Sequence, residues 1–129
     1  MIDHVSVGVA DLKRAATFYD AVFAPLGIAR MMERPTTIGY GKTYPEFWIN
    51  LREGMTRLPD NHGTHICLRA RSIEHVQQFY SAALANGGRD DGKPGPRPEY
   101  HPTYYAAFIV DPDGNRIELV TFLKDDAKA

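Results

Sequence analysis

What most constrains this chain is a repeat. Moved 61 positions along itself, the sequence lays DHVSVGVADLKRAATFYDAVFAPLG, residues 3 to 27, on THICLRARSIEHVQQFYSAALANGG, residues 64 to 88, without a gap. His4 falls on His65, Phe18 and Tyr19 on Phe79 and Tyr80, Ala21 on Ala82 and Gly27 on Gly88. Apolar Val5, Val7 and Leu12 fall on Ile66, Leu68 and Ile73. A chain written twice folds as two copies of one supersecondary unit, neither of which can bury its apolar face alone. At 129 residues the pair makes one domain, which buries roughly two thirds of its unfolded surface.

Each copy opens with alternation. Val5, Val7 and Val9 oppose His4, Ser6 and Gly8, and Ile66, Leu68 and Ala70 oppose His65, Cys67 and Arg69, which predicts two half-buried strands. Asp11 and Ser72 stand where a helix N-cap belongs. Apolar residues follow at helical spacing, from Leu12 to Phe23 and from Ile73 to Leu84, and Gly27 and the Gly87-Gly88 pair end the helices. IARMMER, TTIGYGK and PEFWINL then predict three short strands. In the second copy a short strand near residues 88 to 91 leads to a long loop, GKPGPRPEYHP, then YYAAFIVD, the turn PDGN and RIELVTFL.

The fold class is therefore α+β, with two βαβββ modules at about residues 1–51 and 63–124 and the polar linker REGMTRLPDNH, 52–62, between them. A curled sheet with one helix cannot close by itself, so the two modules are expected to join as half-barrels around a cup. One face of each sheet goes to the helices. The alternation assigns the other, cup-lining face to His4, His65 and Glu118, the last set between Ile117 and Leu119.

Composition narrows the function classes. With 43% hydrophobic residues, 24% charged and a net charge of -1, this is neither a disordered nor a membrane chain, and without a basic run it is not a nucleic-acid binder. The opening MIDHVSVGVADL lacks a basic segment followed by an apolar core, so the expected location is the cytoplasm. Cys67 is the single cysteine, which excludes an intrachain disulfide and a cysteine zinc cluster. Any metal here must use His and carboxylate.

The duplicated βαβββ pattern, the opening IDHVSVGVADLKRAATFYD, His65 at the start of the second module and DPDGNRIELV near the end resemble the glyoxalase/bleomycin-resistance/dioxygenase superfamily, also called vicinal oxygen chelate proteins. The resemblance spans about residues 2 to 122. It implies a homodimer, a small-molecule substrate and a divalent metal ion, Fe, Mn, Ni or Zn, held at up to four equivalent positions. His4, His65 and Glu118 match three of these. Laying Ile49-Asn50-Leu51 on Ile117-Glu118-Leu119 puts Asn50 at the fourth, where glyoxalase-type isomerases use a carboxylate as metal ligand and proton carrier. An amide supplies neither the charge nor the base, which weakens a lactoylglutathione lyase reading. Two imidazoles and one acid suit non-haem Fe(II) or Mn(II).

The resemblance thus implies an enzyme whose metal polarises adjacent substrate oxygens, dioxygenase-like or lactoylglutathione-lyase-like; the alternative is a metal-free binding protein of the bleomycin-resistance type. Asn50 would orient a water or substrate oxygen. His101, from the loop at 92–103, and Tyr105 are further catalytic candidates, and Trp48, Arg69 and Tyr104 are expected to hold substrate. Plainer roles stand beside these. Glu118 can pair with Arg69 or Arg116, the aromatics can be packing, Cys67 can be a small buried residue, and the loop can be a lid or a dimer contact. The linker permits a cup inside one chain or across two.

Overall fold

The computed structural model describes residues 1–124. In the first unit β1 (Val5–Val9) leads into α1 (Leu12–Phe23), then β2 (Ala29–Arg34), β3 (Thr37–Gly41) and β4 (Pro45–Leu51). The second repeats the order as β5 (His65–Arg69), α2 (Ile73–Ala85), β6 (Arg89–Pro96), β7 (Tyr104–Val110) and β8 (Arg116–Phe122). The sheets run β1-β4-β3-β2 and β5-β8-β7-β6. In each, the first strand pairs parallel with the last and the remaining neighbours are antiparallel. The two four-stranded sheets do not close into one barrel.

The helices begin where the caps predict. Asp11 accepts from the Arg14 amide at 3.0 Å and Ser72 from the His75 amide at 3.1 Å, and each such cap stabilises its helix by about 1 kcal/mol. Helical spacing then puts Phe18, Tyr19, Val22 and Phe23 of α1, and Val76, Phe79 and Ala83 of α2, on buried faces. These join Phe47, Ile49, Ile109, Ile117 and Leu119 of the strands in one continuous core. Burial of each large apolar side chain is worth roughly 1.5–3 kcal/mol. The core thus draws residues from both units.

The turn in DPDGN ties the halves together. Asp111 is buried and accepts from the Tyr19 hydroxyl at 2.7 Å and from the amides of Asp113 and Asn115. Asp113 accepts from the Ala10 amide at 3.1 Å and from Arg14 at 2.6 Å, and Asn115 donates to the Gly8 carbonyl at 2.9 Å. A turn of the second unit thus satisfies the free edge of β1 and the first turns of α1. Burial pushes the Asp111 carboxyl up from its ordinary range, against the hydrogen bonds from Tyr19 and Asn115, which pull it down.

One expected loop is strand over its first part. β6 continues through Pro96 and pairs with β7 across two register shifts, between Asp90 and Gly92 and between Gly92 and Gly95. Pro94 and Pro96 are tolerated because β6 is the sheet edge, where a missing amide hydrogen breaks no ladder. The connection shrinks to residues 97–103, closed by the Arg97 amide on the Tyr104 carbonyl at 2.8 Å. Among the described residues no helix is long and apolar enough to cross a membrane.

Candidate functional site

On the face of the second sheet turned away from the helices, Cys67 stands opposite Glu118 and Glu118 opposite Phe108. Glu118 is 3% exposed. One carboxylate oxygen lies 3.1 Å from His65 Nε2, and the other accepts from the Tyr104 hydroxyl. The acid is therefore held by an imidazole and a phenol, and neither arginine takes it. Arg116 pairs with Asp91 at 3.2 Å, while Arg69 lies over the Phe122 ring, 4.6 Å from its centre. Burial first, and the bond to Glu118 second, push the Tyr104 hydroxyl well up, so it stays a donor. Cys67 is accessible at the surface, which corrects its expected burial. Desolvation of its sulfur and the Glu118 charge push the thiol up to about 12.

The first sheet carries something else at the matching place. With His4 laid on His65, the counterpart of Cys67 is Ser6, and Ser6 pairs with Trp48. Trp48, not Asn50, is the counterpart of Glu118. Asn50 lies two residues further along, opposite Gly8, where its side-chain oxygen accepts from the Thr37 hydroxyl. Matching the triplets Ile-Asn-Leu and Ile-Glu-Leu misplaces the strand because a slip of two residues preserves every inward and outward face; pairing with the first strand decides the register. The Trp48 indole lies on the backbone of Gly39, so close that a Cβ there would sit 2.9 Å from two of its ring carbons.

His4 precedes β1 and is exposed, its Nδ1 2.7 Å from the Asp3 carboxylate. It does line the same cavity as His65, a space of about 530 Å³ whose wall includes Lys42, Cys67 and Arg69 over an apolar floor of Phe23 and Phe47. Among the described residues no three His, Cys, Asp or Glu side chains come together as a metal-holding group. Of the expected ligands, the chain brings His65 and Glu118 into contact, while His4 bonds Asp3 and shares only the cavity lining with His65.

A family model for the Glyoxalase/Bleomycin resistance protein/Dioxygenase superfamily matches residues 1–119. The chain belongs to this superfamily. A solved glyoxalase/bleomycin resistance protein from Albidiferax ferrireducens is 31% identical with a TM-score of 0.74, covering 92% of this chain and 95% of that one. The lactoylglutathione lyase of Escherichia coli O157:H7 is 29% identical over 123 residues, 91% of this chain and 89% of that protein. Glyoxalase I from Zea mays shares the fold at 23% identity, with a TM-score of 0.71 over 92% of this chain and 44% of that one.

In this glyoxalase-superfamily chain the remaining candidates divide by strand face. Tyr104 points to Glu118, but Tyr105, the next residue, packs against the core and takes a hydrogen bond from Gln77 of α2 at 3.3 Å. Period-2 geometry thus turns Tyr105, a catalytic candidate of the sequence, to the face away from Glu118. His101 sits on the turn before β7, its Nδ1 receiving the Thr103 amide at 3.2 Å and its ring edge-on to Phe122. Phe122 and Phe108 were missed as site residues. Both share the parity of Glu118 or pair with it, so alternation along RIELVTF already carried the signal for Phe122.

Proposed function

We propose that this chain is a small-molecule enzyme in which a divalent ion, Fe, Mn, Ni or Zn, polarises adjacent substrate oxygens, and that it works in the cytoplasm as a homodimer. The observation that carries this reading is the His65–Glu118 pair, a buried carboxylate 3.1 Å from a nitrogen of an imidazole that itself lines an open cavity. An imidazole nitrogen beside a carboxylate oxygen fits a divalent first-row metal. His65 and Glu118 would hold the ion, with His4, which lines the same cavity as His65, as third donor. Bound there, the ion acts as a Lewis acid toward substrate oxygen.

The chain's own residues define the rest. Tyr104, by donating to Glu118, fixes the orientation of the carboxylate. Trp48 offers an apolar shelf for the body of the substrate. Asn50, tied to Thr37, orients a water or substrate oxygen and cannot take a proton. With an indole where a second acid would stand, the site has one carboxylate to work with, and we favour dioxygenase-like chemistry over a two-carboxylate proton shuttle. Trp48 also favours a second reading, a metal-free binder whose affinity comes from aromatic surface. The two separate on purification without chelator and elemental analysis. Stoichiometric metal that is lost in His65→Ala and released as falling pH protonates imidazole supports the enzyme. Failure to take up any of the four metals supports the binder.

A further inference from the structure

We infer that the cleft of about 530 Å³ between the first unit and β5 binds a monocarboxylate with an apolar chain, the chain on the cleft floor and the carboxylate on Lys42. A protein core packed to ordinary density leaves few voids larger than a water molecule. Here the packing is interrupted at the joint between the units. Ile117 and Leu119 of β8 are buried, while their partners on β5, Ile66 and Leu68, stay partly exposed. A free strand edge alone does not explain this, since β1 is also an edge strand and its Val7 and Val9 are buried. Val5 and Ile28 are left partly covered as well, and with Ile66 and Leu68 they line the cleft.

The floor is apolar. Phe23 and Phe47 meet edge-on at 5.2 Å, and Tyr40 beside them gives its hydroxyl to Asp20 at 2.9 Å. A floor of rings and branched side chains favours hydrocarbon, and the volume is that of a site for one small molecule.

The exposed rim selects the head group. It carries His4, His65, Lys42 and Arg69 against two carboxylates, Glu46 and Asp3, the latter already bonded to His4 at 2.7 Å. Donors outnumber acceptors there, which favours an anion. Of the two cations, Arg69 has its guanidinium on the Phe122 ring, 4.6 Å from the centre, and Phe122 lies outside the cleft wall. Lys42 enters none of the ion pairs among the described residues. Its Cε and Nζ lie 3.6 and 4.0 Å from where a Cβ on Gly27 would stand, next to Ile28 of the wall. A carboxylate held by this exposed ammonium stays in water while its chain leaves it, so no charge is buried.

The test is calorimetric titration of the full chain, in EDTA, with hexanoate, octanoate and decanoate, and with octanamide as the uncharged counterpart of octanoate. One alkanoate should bind per chain, about fourfold more tightly for each added methylene. Octanoate should bind about three- to fivefold more tightly than octanamide. Leu68→Trp, which fills the cleft, should abolish binding with the far-UV circular dichroism unchanged. Lys42→Gln, at an exposed position, should erase the preference for octanoate, and Arg69→Gln should leave it; this comparison decides even if Leu68→Trp does not fold. Affinity that does not rise with chain length, binding that survives in folded Leu68→Trp, or a preference lost in Arg69→Gln but kept in Lys42→Gln would each overturn the inference. So would no binding at all, as when a second copy of the chain covers the cleft. With metal withheld by EDTA, none of these results bears on the proposed enzyme, which stands or falls by metal uptake.

Discussion

The same rung of the sheet carries Gly39 and Trp48 in the first unit and Phe108 and Glu118 in the second. Each unit lays one aromatic ring on a glycine of the next strand outward. Trp48 of β4 covers Gly39 of β3, and Phe108 of β7 covers Gly92 of β6, where an added Cβ would meet the ring at 2.7 Å. Moving the aromatic one strand toward the edge frees the β8 position for an acid. On the opposite face both units supply core residues to one shared cluster, and there a change of size is felt at once. A duplicated fold can therefore diverge on its open face while its packed face stays alike.

The largest expected effect tests which unit does the chemistry. Glu118→Ala should weaken Mn(II) binding by at least about a hundredfold, since even loss of a group that only orients a ligand costs 10–100-fold. Trp48→Ala should change it little, and equal losses in a metal titration would remove the distinction between the units. Next comes the joint between them. Asp113→Ala removes the partner of the Ala10 amide and of Arg14 and should lower unfolding stability by about 2 to 3 kcal/mol. Denaturation of the variant in two separate steps would show that the units are independent domains instead.

A smaller effect sharpens the aromatic-on-glycine comparison. In Gly39→Ala the new methyl would meet Pro45 at 2.8 Å and the indole at 2.9 Å, for a cost of about 1 to 2 kcal/mol. Adding Trp48→Ala should return part of that loss in thermal melts; strictly additive losses would mean that the indole does not rest there. The smallest effect separates the outer layers. Asp20 and Arg30 tie α1 to β2 with hydrogen bonds of 2.9 and 2.7 Å, whereas α2 is tied to β6 by the Tyr80 hydroxyl on Asp90 at 3.0 Å.

The Arg30 hydrogen bonds hold the Asp20 carboxyl below its ordinary range. A depressed folded value means stability that is present above the unfolded carboxylate range and lost as pH falls through the folded value. Since the pair is well exposed, Asp20→Asn should flatten the acid limb of stability by less than about 1 kcal/mol. An unchanged acid limb would show that the pair contributes nothing.

The βαβββ succession of elements, both helices, their caps and the parity of Glu118 were legible in the sequence because periodicity and capping are local. What was not legible depended on pairing. The triplet match makes Asn50 the equivalent of Glu118, whereas the β1–β4 register gives that rung to Trp48. β6 was read short because Pro and Gly signal loops unless the strand is known to lie at an edge. Tyr105 needed only its parity relative to Tyr104, and DPDGN gave its turn but not its partners, which lie some 90 to 110 residues away in the first unit. The sequence reading sets His4, His65 and Glu118 together; His65 and Glu118 stand 3.1 Å apart, whereas His4 bonds Asp3.

The most direct measurement is a crystal structure after a Mn(II) or Zn(II) soak, with the ion located by its anomalous scattering. The account predicts a single strong peak bonded to His65 Nε2 and a Glu118 oxygen at about 2.0 to 2.2 Å, with no metal beside Trp48 or Asn50. A peak in the first unit alone, or a Glu118 still bonded to His65 with the soaked ion bound elsewhere, would contradict it.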